Sequence, residues 1–170
     1  MIDPETRLPV IPIDAVFNQT AADIATAIFS VLAAVVFLYG IKYWRDTKSP
    51  MVIMMMLGGL TTTLAEPFVD VVGGAWHPIH GQNTAFELMG RPIPLWVITA
   101  YLVYFGIIGS LTYMSFAKGV SMRNVWLWFS VPMVFDVAWE EIMMHWDLYY
   151  YYGQQPLILL WKFPFWWRRA

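Results

Sequence analysis

The chain of 170 residues is 59% hydrophobic and 13% charged, with a formal net charge of −2 and no cysteine. Its charge content is roughly half that of a soluble domain, and its mean hydropathy of +0.53 points to a membrane protein. The net charge is too small to suggest a nucleic-acid partner, and the lack of cysteine excludes disulfides, zinc–thiolate sites, iron–sulfur clusters and thiol nucleophiles.

Residues 1–20, MIDPETRLPVIPIDAVFNQT, carry no basic region ahead of their first apolar run and so do not read as a secretory signal. Pro4, Pro9 and Pro12 predict an extended segment lying at the membrane surface. Residues 21–170 read as one transmembrane helical domain. A span needs about 20 mostly apolar residues. Ala21 to Trp44 supplies the first, closed by KYWRDTK. The second starts at Met51 and runs through MVIMMMLGGLTTTLAEPFVDVVGG. There Gly58, Gly59, Thr61, Thr62 and Thr63 suit close helix contact and interhelical hydrogen bonds, and Met54 to Met56 suit packing. Leu95 to Ala117 and Val125 to Trp146 make the third and fourth. A fifth apolar run from Leu157 meets WWRRA after about a dozen residues, too short to cross. It is read as an interfacial segment or as the start of a span continuing in a longer protein. The expected fold is therefore all-α, a polytopic transmembrane helix bundle of four to five spans.

Orientation follows from Lys and Arg near the span ends. Lys42, Arg45, Lys48, Lys118 and Arg123 flank one side, against Arg7 and Arg91 on the other, which places the N-terminus outside. Most ionisable groups then gather at one membrane face. The second span ends there with Glu66 and Asp70, and the fourth ends there with Glu140, Glu141 and His145. The intervening loop adds Trp76, His77, His80, Glu87 and Arg91.

In AEPFVD, Glu66 and Asp70 are four residues apart and share a helix face, while Pro67 removes a backbone donor and favours a bend. Asp136 and Glu140 share one stripe of the fourth span. Glu141 and His145 share another, about 100° away. Unpaired charge in hydrocarbon costs on the order of 3 kcal/mol or more per group, so these side chains face the bundle interior, a wet cavity or the interface. Two carboxyls in such a pocket do not both ionise readily, and one that keeps its proton is a usable general acid. Plainer roles fit the others. His145 and Asp147 suit interfacial solvation, and His77 and His80 suit loop hydrogen bonds. Glu87 and Arg91 suit an ion pair holding the loop. Tyr149 to Tyr152 read as an aromatic belt. Only three histidines are present and there is no HExxH or ExxH pair. Glu141 and His145 with Glu66 or Asp70 make an unspecific ligand set, so no metal site and no cofactor are expected.

The patches EPFVD, GGAWHP, FELMGRPIPLWV and DVAWEE…YYYYGQQPL…WKFPFWW, spread over Met51 to Trp167, resemble the AveC-like spirocyclase family of actinobacterial membrane proteins. The founding member closes a spiroketal in macrolide polyketide biosynthesis and also dehydrates it. The resemblance implies an integral protein of the bacterial plasma membrane, partnered by the lipid bilayer and acting on a small lipophilic, oxygenated substrate. It further implies carboxylate acid/base chemistry without cofactor or metal, by analogy with two-carboxylate glycosidases. Glu66 and Glu140 would form the acid/base pair, supported by Asp70, Asp136 and Glu141, with His145 as the alternative proton shuttle. Trp76 and Trp139 would shape the cavity and stabilise a cation, and Arg91 would bind a substrate oxygen or orient Glu87. Family members are usually longer than this chain.

An outward-facing cluster conflicts with a polyketide-like substrate made in the cytoplasm: either the orientation is the reverse, the substrate enters laterally from the bilayer, or the reaction is a different one. Two other functions stay open. A binding or transport protein for a small lipophile or proton would need a polar path to the far face. A structural subunit would hold Glu66 or Glu140 on its outer surface for a partner chain.

Overall fold

The structure is a computed structural model that describes residues 4–5 and 10–152, together with the backbone of Ile158–Leu159 and Phe163–Pro164. It is mostly helical: α1 (Gln19–Thr47), α2 (Met51–Thr62), α3 (Glu66–Gly73), α4 (Leu95–Tyr104), α5 (Ser110–Ala117) and α6 (Met122–His145). Residues 10–18 ahead of α1 form neither helix nor strand.

Three stretches are long and apolar enough to cross a membrane: Gln19–Thr47, Met51–Gly73 and Leu95–Ala117. They correspond to the first three expected spans. Ile28, Val31, Val35 and Leu38 of α1 are exposed, a surface suited to hydrocarbon rather than water. The fourth expected span is α6, which has the length at 24 residues. Asp136, Glu140 and Glu141 all fall in its second half, and it is not among the three stretches above. The fifth run falls largely outside the described residues. What is described there is extended, β5 (Ile158–Leu159) paired antiparallel with β6 (Phe163–Pro164).

The all-α expectation also missed two ribbons in the described loops. β2 (Thr84–Leu88) and β3 (Arg91–Pro94) form an antiparallel hairpin. Its two turn residues, Met89 and Gly90, both have positive φ, at 57° and 68°, as a type I′ turn requires. Glycine takes this conformation freely, whereas methionine is an unusual occupant, so the turn carries only half of the usual signal. β1 (Ala75–Trp76) pairs antiparallel with β4 (Tyr150–Tyr151) across a long stretch of sequence.

Along Met51–Gly73 the helix tightens to a 3-10 turn at Thr63–Ala65. Pro67 accounts for it: the ring has no N–H for the carbonyl of Thr63 and would collide with it in a straight α-helix. Helix α3 then ends at Gly74, whose φ of 65° gives the left-handed exit that a glycine after a helix supplies.

The chain divides into two compact units. One comprises residues 23–65 and 95–135, and its contacts depend on small residues. A Cβ on Gly59 would come within 2.5 Å of the Tyr101 carbonyl oxygen, and one on Gly106 within 2.7 Å of Met56 and 2.8 Å of Val36. Only glycine lets α2 approach that closely. Gly58, in contrast, faces open space. The threonines do not bond across helices as expected. Thr61 and Thr62 donate to the Gly58 carbonyl, and Thr63 to that of Leu60. Between α4 and α5 the helix widens into a π turn, Phe105–Gly109. The other unit comprises residues 1–22, 66–94 and 136–170, and every candidate site residue lies in it.

Candidate functional site

Two local devices build the site. The first is the end of α6. Asp147 takes the left-handed position, with φ 58°. Leu148 N–H donates to the Met143 carbonyl and Asp147 N–H to that of Met144. These are the two bonds of a Schellman cap, and its usual hydrophobic pair, here Met143 and Leu148, is fully buried. Tyr150 O–H donates to the Asp147 carboxylate at 3.0 Å.

The second device is the β1–β4 ribbon, extended by Tyr152 N–H donating to the Gly74 carbonyl at 2.7 Å. It lays the tyrosine run beside the WHP loop. Extended backbone sends alternate side chains to opposite faces, and the four tyrosines divide accordingly. Tyr150 and Tyr152 flank the buried Trp76, at ring-centroid distances of 4.8 and 5.9 Å. Tyr149 and Tyr151 go the other way. Tyr149 lies 5.1 Å from the His77 ring, and its O–H donates to the Tyr151 oxygen at 3.4 Å. Tyr151 O–H in turn donates to Glu140 Oε2 at 2.5 Å. Burial first, and then the Glu140 carboxylate, push the Tyr151 phenol well up from its ordinary value, so it stays a donor. Burial likewise raises Tyr149. Tyr149 is buried and Tyr150, Tyr151 and Tyr152 are half-buried, so the residues of the expected aromatic belt also pack against the polar unit.

Glu66 and Asp70 stand four apart on α3, as predicted, and His77 joins them from the loop beyond β1. One ligand-type atom from each of the three lies within 4.8 Å of the others. Asp70 and His77 are fully buried. The His77 Nδ1 is 3.4 Å from the Leu148 carbonyl, and its Nε2 is 3.9 Å from Asp70 Oδ2. Because a carbonyl only accepts, the hydrogen bond puts the imidazole proton on Nδ1. Burial pushes the His77 pKa down to about 4, the Glu66 charge and the Leu148 carbonyl opposing it more weakly. At neutral pH the ring is therefore uncharged.

Arg91, at the head of β3, is buried and within electrostatic reach of Asp70. Its Nη1 donates to the Tyr152 hydroxyl, and its guanidinium carbon sits 5.4 Å from the centre of that ring. Glu87 remains exposed on β2, so the expected role of Arg91 as partner to Glu87 gives way to one beneath Tyr152. Glu140 lies within electrostatic reach of Asp136, Glu66 and Asp70. The carboxyls of α3 and α6 are thus neighbours.

Among the other predicted residues, Glu141 is buried and Trp139 half-buried on α6, whereas Asp136, His145 and His80 are exposed. Three contributors were absent from the sequence reading as site residues: Tyr149, Tyr151 and Tyr152. The signal for them was a run of strand-favouring aromatic residues directly after a helix end. No family model, no curated protein and no solved structure matches the chain.

Proposed function

We propose that the protein is a membrane-embedded cyclase/dehydratase that works by carboxylate acid/base chemistry on a lipophilic, oxygen-rich, polyketide-like substrate, of the spiroketal-forming type. In this reading α6 serves as a fourth span, in a bacterial plasma membrane. One observation carries the chemistry: Glu140 holds a hydrogen bond from Tyr151 and sits within electrostatic reach of Glu66 and Asp70. The substrate class rests on the resemblance of EPFVD, GGAWHP and DVAWEE…YYYYGQQPL to the spirocyclase family.

The reaction balances without a redox partner. Protonated Glu140 gives its proton to the hemiketal hydroxyl, the C–O bond breaks, and water leaves an oxocarbenium ion. A substrate hydroxyl attacks the cationic carbon, and its proton returns to a carboxylate. The carboxylates of α3 steady the cation meanwhile, as the second carboxylate does in glycoside hydrolysis. Tyr151 holds Glu140 in one orientation. Trp76, Tyr149 and Tyr152 supply apolar and aromatic surface in the same unit.

The test is turnover of a dihydroxyketone or its hemiketal by protein reconstituted in lipid vesicles, followed by mass loss of one water and by chirality of the product. Wild type should form one spiroketal enantiomer in excess, and Glu140→Gln should slow it by roughly 100-fold or more. Racemic product at the rate of empty vesicles would overturn the reading.

A further inference from the structure

We propose that Glu66, Asp70 and His77 bind one divalent first-row transition-metal ion. The donor set is two carboxylates and one imidazole, and one atom from each lies within 4.8 Å of the other two. Bonds of about 2.1 Å hold adjacent ligand atoms roughly 3.0–3.4 Å apart, so small side-chain rotations close the set around an ion. Glu66 and Asp70 reach the same point because they are four apart on α3, and His77 reaches it because Gly74 turns the chain back.

A second observation is independent of this clustering. Asp70 is only 1% exposed, and neither of its carboxylate oxygens has a hydrogen-bond partner among the described residues. A buried carboxylate normally collects donors. What faces Asp70 Oδ2 instead is His77 Nε2, at 3.9 Å. With the His77 proton held on Nδ1 by the Leu148 carbonyl, Nε2 presents a lone pair. A cation bound between these two lone-pair atoms would satisfy both. An imidazole whose far nitrogen donates to a backbone carbonyl is also the usual arrangement of a metal-bound histidine. Arg91 acts on Asp70 through its field, while its Nη1 is engaged by Tyr152.

The ligand types narrow the ion. Calcium and magnesium favour all-oxygen shells, whereas imidazole with carboxylate suits zinc, iron or manganese. Three protein ligands leave a coordination position for a water or a substrate oxygen, as catalytic sites do. Ion binding does not rest on the cyclase reading. If both hold, Glu66 and Asp70 are ligands and proton transfer falls to Glu140.

The experiment uses the full chain purified in detergent, stripped with a chelator and titrated with Zn²⁺ by calorimetry, with metal content read by mass spectrometry. One equivalent should bind. Asp70→Asn and His77→Gln should each weaken binding by roughly 100-fold, while His80→Gln, at an exposed loop histidine, should leave it unchanged. Circular dichroism and size-exclusion elution show which variants fold. X-ray absorption at the zinc edge of the wild-type protein, which needs no variant, should show one imidazole among oxygen neighbours. The proposal is overturned by well under one equivalent of Zn²⁺, by unchanged affinity in a folded His77→Gln, or by two or more imidazoles around the ion. Cyclisation by a protein that binds no ion would sink the metal site alone, and ion binding without turnover would sink the cyclase alone.

Discussion

Tyr151 donates its phenolic proton to Glu140 Oε2 at 2.5 Å, tying the strand after α6 back to the helix it has just left. Removing the hydroxyl leaves a half-buried carboxyl without this donor, at a cost of about 1–3 kcal/mol. Tyr151→Phe is therefore expected to lower the melting temperature in detergent and to slow turnover. Tyr150→Phe, which touches Asp147 instead, should spare the turnover rate. Equal loss of rate in the two variants would argue against Tyr151 as the residue that orients Glu140.

Asp147 holds a left-handed backbone at the close of α6, with φ 58°. Alanine there meets the Cβ penalty of about 1–2 kcal/mol and also loses the Tyr150 hydrogen bond. Glycine loses the hydrogen bond but sheds the Cβ penalty that Asp147 itself carries. Thermal unfolding should rank Asp147→Gly above Asp147→Ala. The reverse order of the two variants would mean that the cap is not strained.

In the helical unit, Gly59→Ala drives a methyl to 2.5 Å from the Tyr101 carbonyl oxygen. A backbone atom cannot rotate away, so α2 and α4 must separate, with a cost of about 1–3 kcal/mol. Gly58→Ala faces open space and should be neutral or slightly stabilising. Chemical or thermal unfolding of the two adjacent variants makes the comparison, and similar values would contradict the close contact.

The His77 imidazole has its pKa pushed down by burial from 6.5 to about 4. Between those values the unfolded chain takes up a proton that the folded unit refuses, so stability rises with pH across the window. In chelator-treated protein, the contribution of His77 to the melting temperature should be lost progressively on acidification from about pH 6.5 to about pH 4. His77→Gln should have a shallower profile there. Parallel profiles would assign the acid sensitivity to other groups.

The sequence showed most clearly what depends on composition and on one period. Three spans were visible as long apolar runs, and Glu66 and Asp70 could be placed on one face because a helix repeats every few residues. Pro67 announced the tightened turn before α3. The pairing of β1 with β4 was not visible, since two-residue strands far apart in sequence leave no local pattern. Nor did Met89 mark the hairpin, because its neighbour Gly90 carries the only turn preference. A run of four identical tyrosines contains no alternation of residue type, so the division of its faces became legible only once the backbone was known to be extended. His77 and His80 were indistinguishable in WHPIHG. The contact between Leu148 and His77 decides between them, and it spans 71 positions.

The π turn at Phe105–Gly109 sets the phase of everything that follows it in that helix. Such a turn behaves as a single residue inserted into an α-helix, and one residue corresponds to about 100° of rotation. It is what permits Gly106 to meet Met56 and Val36 while Gly109 meets Met55. Deleting one residue there would leave a smooth helix of ordinary hydropathy. It would also swing the faces of α5 by more than a quarter turn, carrying the buried Ser110 out of its place. Two chains that differ by this single deletion would look nearly identical in a hydropathy profile and yet present different surfaces to the bilayer.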